Sequence, residues 1–448
     1  MPGTKLQKEQ QTAVQPGLGY AWYVVAALTA IYMLSYMDRQ ILSLLVGPIK
    51  RDLGISDTRV GLLQGLAFAL FYTLMGLPLG RMVDTRNRRK LIAVGVVVWS
   101  FCTSLCSLAR SFWMLFLGRI GVGIGEATLS PAAYSLIADY FPPGRLGVAI
   151  SVYYMGVFLG ASLSFLVVGA VVDAVSHTPI LTVPLLGAMA SWRVSFLIVG
   201  LPGLLFALLV YTIREPLRRD LLRVGGTATR LSFAQTVSEV RARWQSVIGL
   251  SLGAIFQSAC SFGFLAWAPA FFQRTYGWTA GQSGRTLAVI LVTFGCGGMY
   301  VGGLLSDRWH RHGQCVGPLR AAVWSGVGTV LLLPLAFVLH DPAWTLALMA
   351  LGTFFLAWPM GTSVAALQRI FPNQVRGQVS ALFLFFLNLG GQTLGPLGPG
   401  FLNDRFFHSE KMLGPSMALT IGIAAVLMIV VFRASYRPYR RHYEAMKP

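Results

Sequence analysis

Twelve apolar runs of about 20 residues recur along this chain, and each is long enough to cross about 30 Å of hydrocarbon as a helix. They are centred near residues 34, 70, 100, 125, 158, 203, 260, 296, 328, 355, 390 and 423. Gly and Pro within the runs fit this reading, because membrane helices tolerate them better than soluble helices do. The expected fold is an all-α membrane protein with twelve transmembrane helices. With 55% of the 448 residues hydrophobic and only 12% charged, a soluble enzyme is excluded. The first 18 residues hold Lys5, Lys8 and Glu9 and have no apolar run of their own. They read as a polar tail rather than a cleavable signal peptide.

The formal net charge of +20 does not point to nucleic acid, because its distribution follows the spans. With the N-terminus in the cytoplasm, 25 of the 36 Lys and Arg fall on the cytoplasmic side, nine fall outside, and Arg39 and Arg119 lie within spans. The reverse orientation would violate the positive-inside rule. Arg433, Arg437, Arg440 and Arg441 follow the last span, where anionic lipid heads are within reach. The five cysteines show no metal-type spacing, and the six histidines sit in loops or near span ends. No Asn-x-Ser/Thr sequon occurs, which favours a bacterial inner membrane over a glycosylated surface.

Two ionisable pairs interrupt the apolar runs: Asp38-Arg39 in the first, and Arg119 with Glu126 in the fourth. A charge at membrane depth costs about 3 kcal/mol or more, so such residues face an internal cavity and one another. This is the signature of a transporter rather than a passive anchor.

The chain also repeats itself. Gly80-Arg-Met-Val-Asp84, followed by Arg86, Arg88, Arg89 and Lys90, is echoed by Gly303-Leu-Leu-Ser-Asp307-Arg308 at an offset of 223. Phe141-Pro-Pro-Gly-Arg145 is echoed by Phe371-Pro-Asn-Gln-Val-Arg376 at an offset of 230. Between the copies runs a polar stretch with seven Arg, Gly225-Gly226 and a short amphipathic helix expected over Leu231–Trp244. The expected organisation is an N-tail (1–19), a six-helix bundle (20–213), a cytoplasmic linker (214–244), a second pseudo-symmetric bundle (245–434) and a basic tail (435–448). Internal repeats with a midplane site between them are common in secondary transporters. In the repeated loops, Gly allows close helix approach, and Asp accepts charge-assisted hydrogen bonds at a neighbouring helix N-terminus. Gly80, Asp84, Arg88, Arg89, Arg145, Gly303, Asp307, Arg308 and Arg376 are therefore the expected cytoplasmic gate.

Gly80…Asp84…Arg88-Arg89 resembles the signature loop of the major facilitator superfamily, with Thr85 in place of a base and Asn87 in place of Gly. Arg119-x-x-x-Gly123-x-Gly125 resembles that superfamily's helix-four motif, which is associated there with proton coupling. The Gly-Pro exporter motif of the fifth helix is absent, which leaves transport direction open. Asp38-Arg39, Gly123-Ile-Gly125-Glu126-Ala127 and Ile137-Ala138-Asp139-Tyr140-Phe141 together resemble the Spinster family. Its animal members handle sphingosine-1-phosphate and lysophospholipids. An Asp-Arg pair also occurs in organic-anion:cation symporters of the same superfamily.

Helical rise places Asp38 and Arg119 at similar depth, so they are the expected pair, with Glu126 two turns deeper on the face of Arg119. Arg39 points about 100° away from Asp38 and is expected to serve a substrate anion or another helix. Tyr32, Ser35 and Tyr36 extend the polar network on the first span. Proton coupling is assigned to Asp38, Glu126 and Arg119, and substrate binding to Arg39, Arg119, Glu126, Tyr32 and Tyr36. Gln64, Gln257, Asn388, Gln392 and Thr393 are further candidates for the cavity lining. Spans seven to twelve carry no mid-span charge but many aromatics, among them Phe256, Phe262, Phe264, Trp267, Phe354, Phe355, Trp358, Phe383, Phe385 and Phe386. The cavity is thus expected to have one charged wall and one aromatic wall, suited to an amphipathic anion or zwitterion. A small organic anion and other amphiphiles remain open.

No phosphate-cradling Gly-x-x-x-x-Gly-Lys-Ser/Thr loop and no nucleophile–base or metal constellation is present. The expectation is a proton-driven transporter that is not an enzyme, holds no cofactor or metal, and works as a monomer among membrane lipids. A receptor is the rival class, but the loops leave no room for a soluble domain.

Overall fold

The computed structural model describes residues 17–141, 143–176, 178, 180–184, 186–216, 233–371 and 373–446. The first span is α1 (Leu18–Leu44), and a short α2 (Val46–Leu53) follows it. The second is α3 (Asp57–Gln64) with α4 (Leu66–Thr85), and the third is α5 (Arg88–Cys106). The fourth is broken into α6 (Phe112–Glu126) and α7 (Leu129–Tyr140), and the fifth is α8 (Pro143–Ser176). An antiparallel hairpin, β1 (Ile180–Val183) and β2 (Gly187–Ala190), sets Ile180 opposite Ala190 and leads into the sixth span, α9 (Ser191–Gly200) and α10 (Pro202–Tyr211).

Linker helix α11 (Phe233–Ala242) precedes the seventh span, α12 (Trp244–Tyr276). The eighth is α13 (Ala280–Ile290) and α14 (Cys296–Arg311), joined through a π turn at Leu291–Gly295. The ninth is α15 (Gly317–Val338), the tenth α16 (Pro342–Leu356) with α17 (Pro359–Arg369), and the eleventh α18 (Asn373–Leu402). The twelfth, α19 (Leu413–Ala434), is followed by α20 (Tyr436–Glu444).

Eleven of these segments are long and apolar enough to cross a membrane alone; the tenth falls short as Pro342–Leu356 and is completed by α17. Two expected boundaries move. The first span, expected to open the bundle at residue 20, already starts at Leu18 and ends at Leu44. The fourth span, expected as one helix, stops at Glu126 and restarts at Leu129. Linker residues 231 and 232, expected in the linker helix, lie outside the described residues.

Helix starts are set by local capping. Ser56 accepts from the Arg59 amide at 3.3 Å, Asn87 from Lys90 at 2.9 Å, and Asp341 from Trp344 at 3.0 Å. Each satisfies one amide that a helix N-terminus leaves unpaired. Thr279 and Gln282 form a reciprocal capping box at α13. Gly277, at φ 68°, ends α12 in the left-handed conformation that glycine adopts without steric penalty.

Within the first half α1 packs along α8, and within the second α12 packs along α18 and α15 along α19. Between the halves α8 meets α13, and α18 meets α3. An even number of crossings puts the described ends and the linker on one face, the terminal face; loops after odd-numbered spans lie on the opposite, distal face.

The hydrogen bonds that join the halves gather towards the distal face. Asp57 takes both terminal nitrogens of Arg274 at 2.7 and 2.8 Å and the Asn403 amide at 2.6 Å. Lys50 bridges Asp57 and Glu410, each at 2.7 Å. Backbones approach closely here: a Cβ on Gly61 would stand 2.5 Å from the Pro396 carbonyl oxygen, and one on Gly169 3.0 Å from that of Ala280. The terminal halves of the same helices are splayed. In α18, Gly391, Gln392, Gly395, Pro396 and Gly400 are buried, whereas Ala381, Leu382, Leu384 and Phe386 are exposed. The cleft between the halves is therefore closed distally and open at the terminal face.

Candidate functional site

The fourth span breaks directly after Glu126, which places this carboxylate at the end of α6 in the middle of the N-terminal half. Gly125 permits the crossing, because a Cβ there would lie 2.7 Å from the backbone nitrogen of Trp99 in α5. On α1, Ser35 and Arg39 are four residues apart and share a face. Both reach the same oxygen: Ser35 Oγ donates to Glu126 Oε2 at 2.5 Å, and Arg39 Nε donates to it at 2.7 Å. Glu126 is 1% exposed, as are Asp38 and Arg119.

The expected Asp38–Arg119 ion pair does not form. Arg119 Nη1 instead donates to the backbone carbonyl of Asp38 at 2.9 Å. The reason is helical geometry. Asp38 is about 100° around α1 from Arg39, and Arg39 already occupies the face towards Glu126. Arg39, left open between a substrate and another helix by the sequence, thus has a partner in the fourth span.

The Arg39 guanidinium is enclosed by rings. Its carbon stands 5.0 Å from the Tyr36 centroid, 4.6 Å from Phe68 and 5.0 Å from Tyr72, distances at which ring faces attract a cation. The Arg119 guanidinium carbon lies 5.7 Å from the Phe68 centroid. Beyond Tyr36, Tyr32 stacks on Tyr153 at 4.9 Å, and Tyr153 meets Tyr134 edge-on at 5.5 Å. Tyr32 is buried in this stack and is absent from the cavity lining, unlike Tyr36.

A cavity between the halves is lined by Arg39, Arg119, Gln40 and Gln64 from the first half and by Phe262 and Gln392 from the second. Gln64 also donates to the Ala266 carbonyl across the cleft at 3.2 Å. Four buried polar atoms around this centre, Asp38 Oδ1, Glu126 Oε1, Arg119 Nε and Gln64 Oε1, lack a hydrogen-bond partner among the described residues. Buried polar groups are ordinarily paired, so the cluster keeps unused hydrogen-bonding capacity.

The expected aromatic wall from the second half is largely absent from the cavity. Phe264, Trp267 and Phe383 are buried in the packing of their own half, and Trp267 donates to the Pro396 carbonyl at 2.7 Å. Phe354, Phe355 and Trp358 pack against one another. Phe262 is the aromatic that this half contributes to the cavity lining. The rings on the charges and in the tyrosine stack beyond them come from the first half: Phe68 and Tyr72 on Arg39, and Tyr134, Tyr153 and Tyr154 in the stack. The sequence reading passed over these residues; the tyrosine pair 153–154 inside an apolar run was the available signal. Among the other candidates, Gln257 donates to the Leu356 carbonyl and to Ser261 and so serves helix packing, whereas Asn388 donates to the Leu384 carbonyl of its own helix. Thr393 Oγ1 is buried with no partner among the described residues.

Among the described side chains, the expected gate residues are not assembled on the terminal face. The side chains of Asp84 and Arg376 lie outside the described residues. Gly80 and Gly303 have open space where a Cβ would stand, so neither marks a close helix approach here. Arg88 is buried inside its own half. Its Nε donates to Glu215 at 2.8 Å, and its Nη1 to Asp139 and to Ser135 Oγ. Arg89 offers its amide to Glu215 at 3.0 Å and its side chain to the Ile213 carbonyl at 3.2 Å. Asp307 pairs with Arg369 of its own half at 3.7 Å and is largely exposed; Arg308 and Arg145 are exposed. The physical reason is the splayed cleft, which parts the surfaces that such a gate would join. The carboxylates found between the halves are at the opposite face, where the sequence reading placed no gate.

The fold finds counterparts among known proteins. An MFS-type efflux pump of Mycolicibacterium smegmatis is 29% identical, over 94% of both chains. A hexuronate transporter of Bacillus subtilis is 25% identical over 91% of this chain and 94% of its own length. A crystal structure of a bacterial homologue of the human lysosomal transporter Spinster, inward-facing and unoccupied, superposes with a TM-score of 0.82 at 26% identity, over 97% of this chain and 100% of that one. The profile of the Major Facilitator Superfamily matches residues 28–391. With twelve spans in two halves and a charged cavity between them, the chain belongs to the major facilitator superfamily of membrane transporters and resembles its Spinster branch.

Proposed function

We propose that this transporter moves an amphipathic, anionic or zwitterionic solute by alternating access, driven by the proton gradient. The observation that carries this reading is Glu126: it binds Ser35 and Arg39 through one oxygen and keeps its other oxygen buried and unpaired. Protonating Glu126 removes the charge that holds Arg39. The guanidinium, fixed between Tyr36, Phe68 and Tyr72, is then free to take an anionic head beside Arg119. An anion and the ionised Glu126 thus compete for one cation, and that competition couples substrate to proton. Asp38, with its own unpaired oxygen beside Arg119, shares the proton-carrying role. The apolar part of the solute rests on Phe68 and Phe262.

The basic residues favour a cytoplasmic terminal face, in a bacterial inner membrane. On that reading the cleft faces inward in this state. The chain works as a monomer, and the ion gradient takes the place of a cofactor.

The test is flux in proteoliposomes with an imposed proton gradient. Glu126→Gln is expected to fold and insert yet lose gradient-driven flux, and Asp38→Asn to behave similarly. Wild-type, gradient-dependent flux in well-folded Glu126→Gln would sink the mechanism. A second reading, a small hydroxylated organic anion, is favoured by the side-chain amides of Gln40, Gln64 and Gln392 around the cavity. Thermal shifts with lysophospholipids, sphingoid phosphates and sugar acids separate the two: stabilisation by the acids alone selects the second.

A further inference from the structure

We infer that Asp173 and Asp404 are a repeat-related pair of gating carboxylates that latch the distal face by capping helices of the opposite half. Asp173 lies near the distal end of the fifth span, in α8. Its Oδ1 accepts the amide of Gly281 at 2.9 Å, and its Oδ2 accepts the hydroxyl of Thr279 at 2.8 Å. Asp404 lies at the distal end of the eleventh span. Its Oδ2 accepts the amide of Thr58 at 2.6 Å, and its Oδ1 that of Asp57 at 3.2 Å. Gly281 is the second residue of α13, and Thr58 is the second residue of α3.

The two contacts are copies of one another. The acids are 231 positions apart and the capped amides 223 apart, in line with the offsets of 230 and 223 in the repeated loops. Each acid ends the fifth span of its half, and each amide opens the second span of the other half. Duplication has therefore placed the same carboxylate-to-helix bond twice, once in each direction across the cleft.

The chemistry suits a latch that opens and closes. A carboxylate at a helix N-terminus meets unpaired amides and the positive end of the helix dipole. When the halves part, water satisfies both sides, so the net gain on closure is modest and reversible. Small residues let the capped helices come near: Gly284 opposes the Phe165 carbonyl, and Gly400 the Asp57 carbonyl. The copies differ in one respect. Ala280 occupies the position that Asp57 holds in the other copy, so Asp57, Arg274 and Lys50 reinforce the Asp404 side alone. Because each half moves as a packed bundle, loosening one cap is expected to loosen the other.

The inference rests on alternating access, and hydrogen exchange by mass spectrometry on the full chain in detergent tests it. The proteins are wild type, Asp173→Ala, Asp404→Ala and the double variant. Losing one cap is expected to raise the ratio of distal-open to distal-closed protein about 5-fold, and losing both about 30-fold. The diagnostic signals lie away from the substitution. Asp173→Ala should speed exchange at residues 57–64, and Asp404→Ala at residues 280–290. Both should slow exchange at residues 66–85 and 296–311 as the terminal face closes.

Changes confined to the cap that was removed, in variants with wild-type melting temperature, would overturn the latch. Asp→Asn variants, which keep an acceptor oxygen without the charge, are expected to fall between wild type and alanine. Flux of the wild-type preparation separates the two claims. Transport with uncoupled caps sinks the latch alone. Coupled caps without flux of any tested solute sink the transport reading and leave the latch standing.

Discussion

Replacing Asp57 with Asn should tip the protein towards a state open at the distal face. The Asp57 carboxylate is 0% exposed and receives four donors: two from Arg274, one from Lys50 and one from Asn403. An Asn side chain offers one accepting oxygen, so two of the four lose their partner. Removing one member of a buried ion pair costs about 3–5 kcal/mol, because the other charge stays buried and unpaired. Arg274 and Lys50 are 11% and 12% exposed, and Glu410 remains near both, so the lower end of that range applies.

The cost falls only on the closed distal face, since in the opposite state the same groups meet water. About 3 kcal/mol is roughly a 100-fold shift, enough to raise a 1% minor state to about half the population. Spin labels at Thr178 and Lys411, both exposed on the distal side of different halves, report the separation once the five native cysteines are replaced. A second, longer distance is expected in Asp57→Asn. A distance distribution unchanged from wild type, in a variant that melts normally, would refute the reasoning.

Two further outcomes follow from the same contacts. Arg39→Lys keeps the charge but loses the planar guanidinium between Tyr36, Phe68 and Tyr72 and its Nε bond to Glu126; solute affinity measured by thermal shift should fall about 10-fold while the fold persists. Arg88→Met leaves Asp139 and Glu215 without their shared buried cation, and should destabilise the N-terminal half by about 3–5 kcal/mol, read as a lower melting temperature in detergent.

The number of spans, the division into halves and the ionisable residues buried within the first and fourth spans were all legible in the chain. Each is a local property: a run of apolar residues, a repeated loop, a charge where lipid should be. Partners were less legible. Asp38 and Arg119 share a depth, but depth does not fix rotation about the helix axis, and Arg39 took the Glu126 position that a depth argument cannot award. The aromatic wall failed for the same reason. A count of rings per half says nothing about which helix face turns to the cavity, and Phe264, Trp267 and Phe383 turned into the packing of their own half. The break after Glu126 did have a local signal in Pro131, which has no N–H to offer the Ala127 carbonyl four residues back; the crossing of Gly125 over Trp99 accompanies it in three dimensions.

The gate illustrates the division most sharply. Gly80, Asp84, Gly303 and Asp307 stand out in sequence because a motif repeats, yet in this state the surfaces they border are apart. Asp57, Asp173 and Asp404 look like ordinary acids at span ends, and only the approach of the two halves turns them into bonds across the cleft. The sequence by itself determined a twelve-helix, internally duplicated membrane transporter, because hydrophobic length and repetition are written residue by residue. Which face is shut, which charges meet and which rings enclose Arg39 were decided by tertiary structure alone. Those are relations between helices packed hundreds of residues apart, and the rotation and tilt of each helix are set by its neighbours.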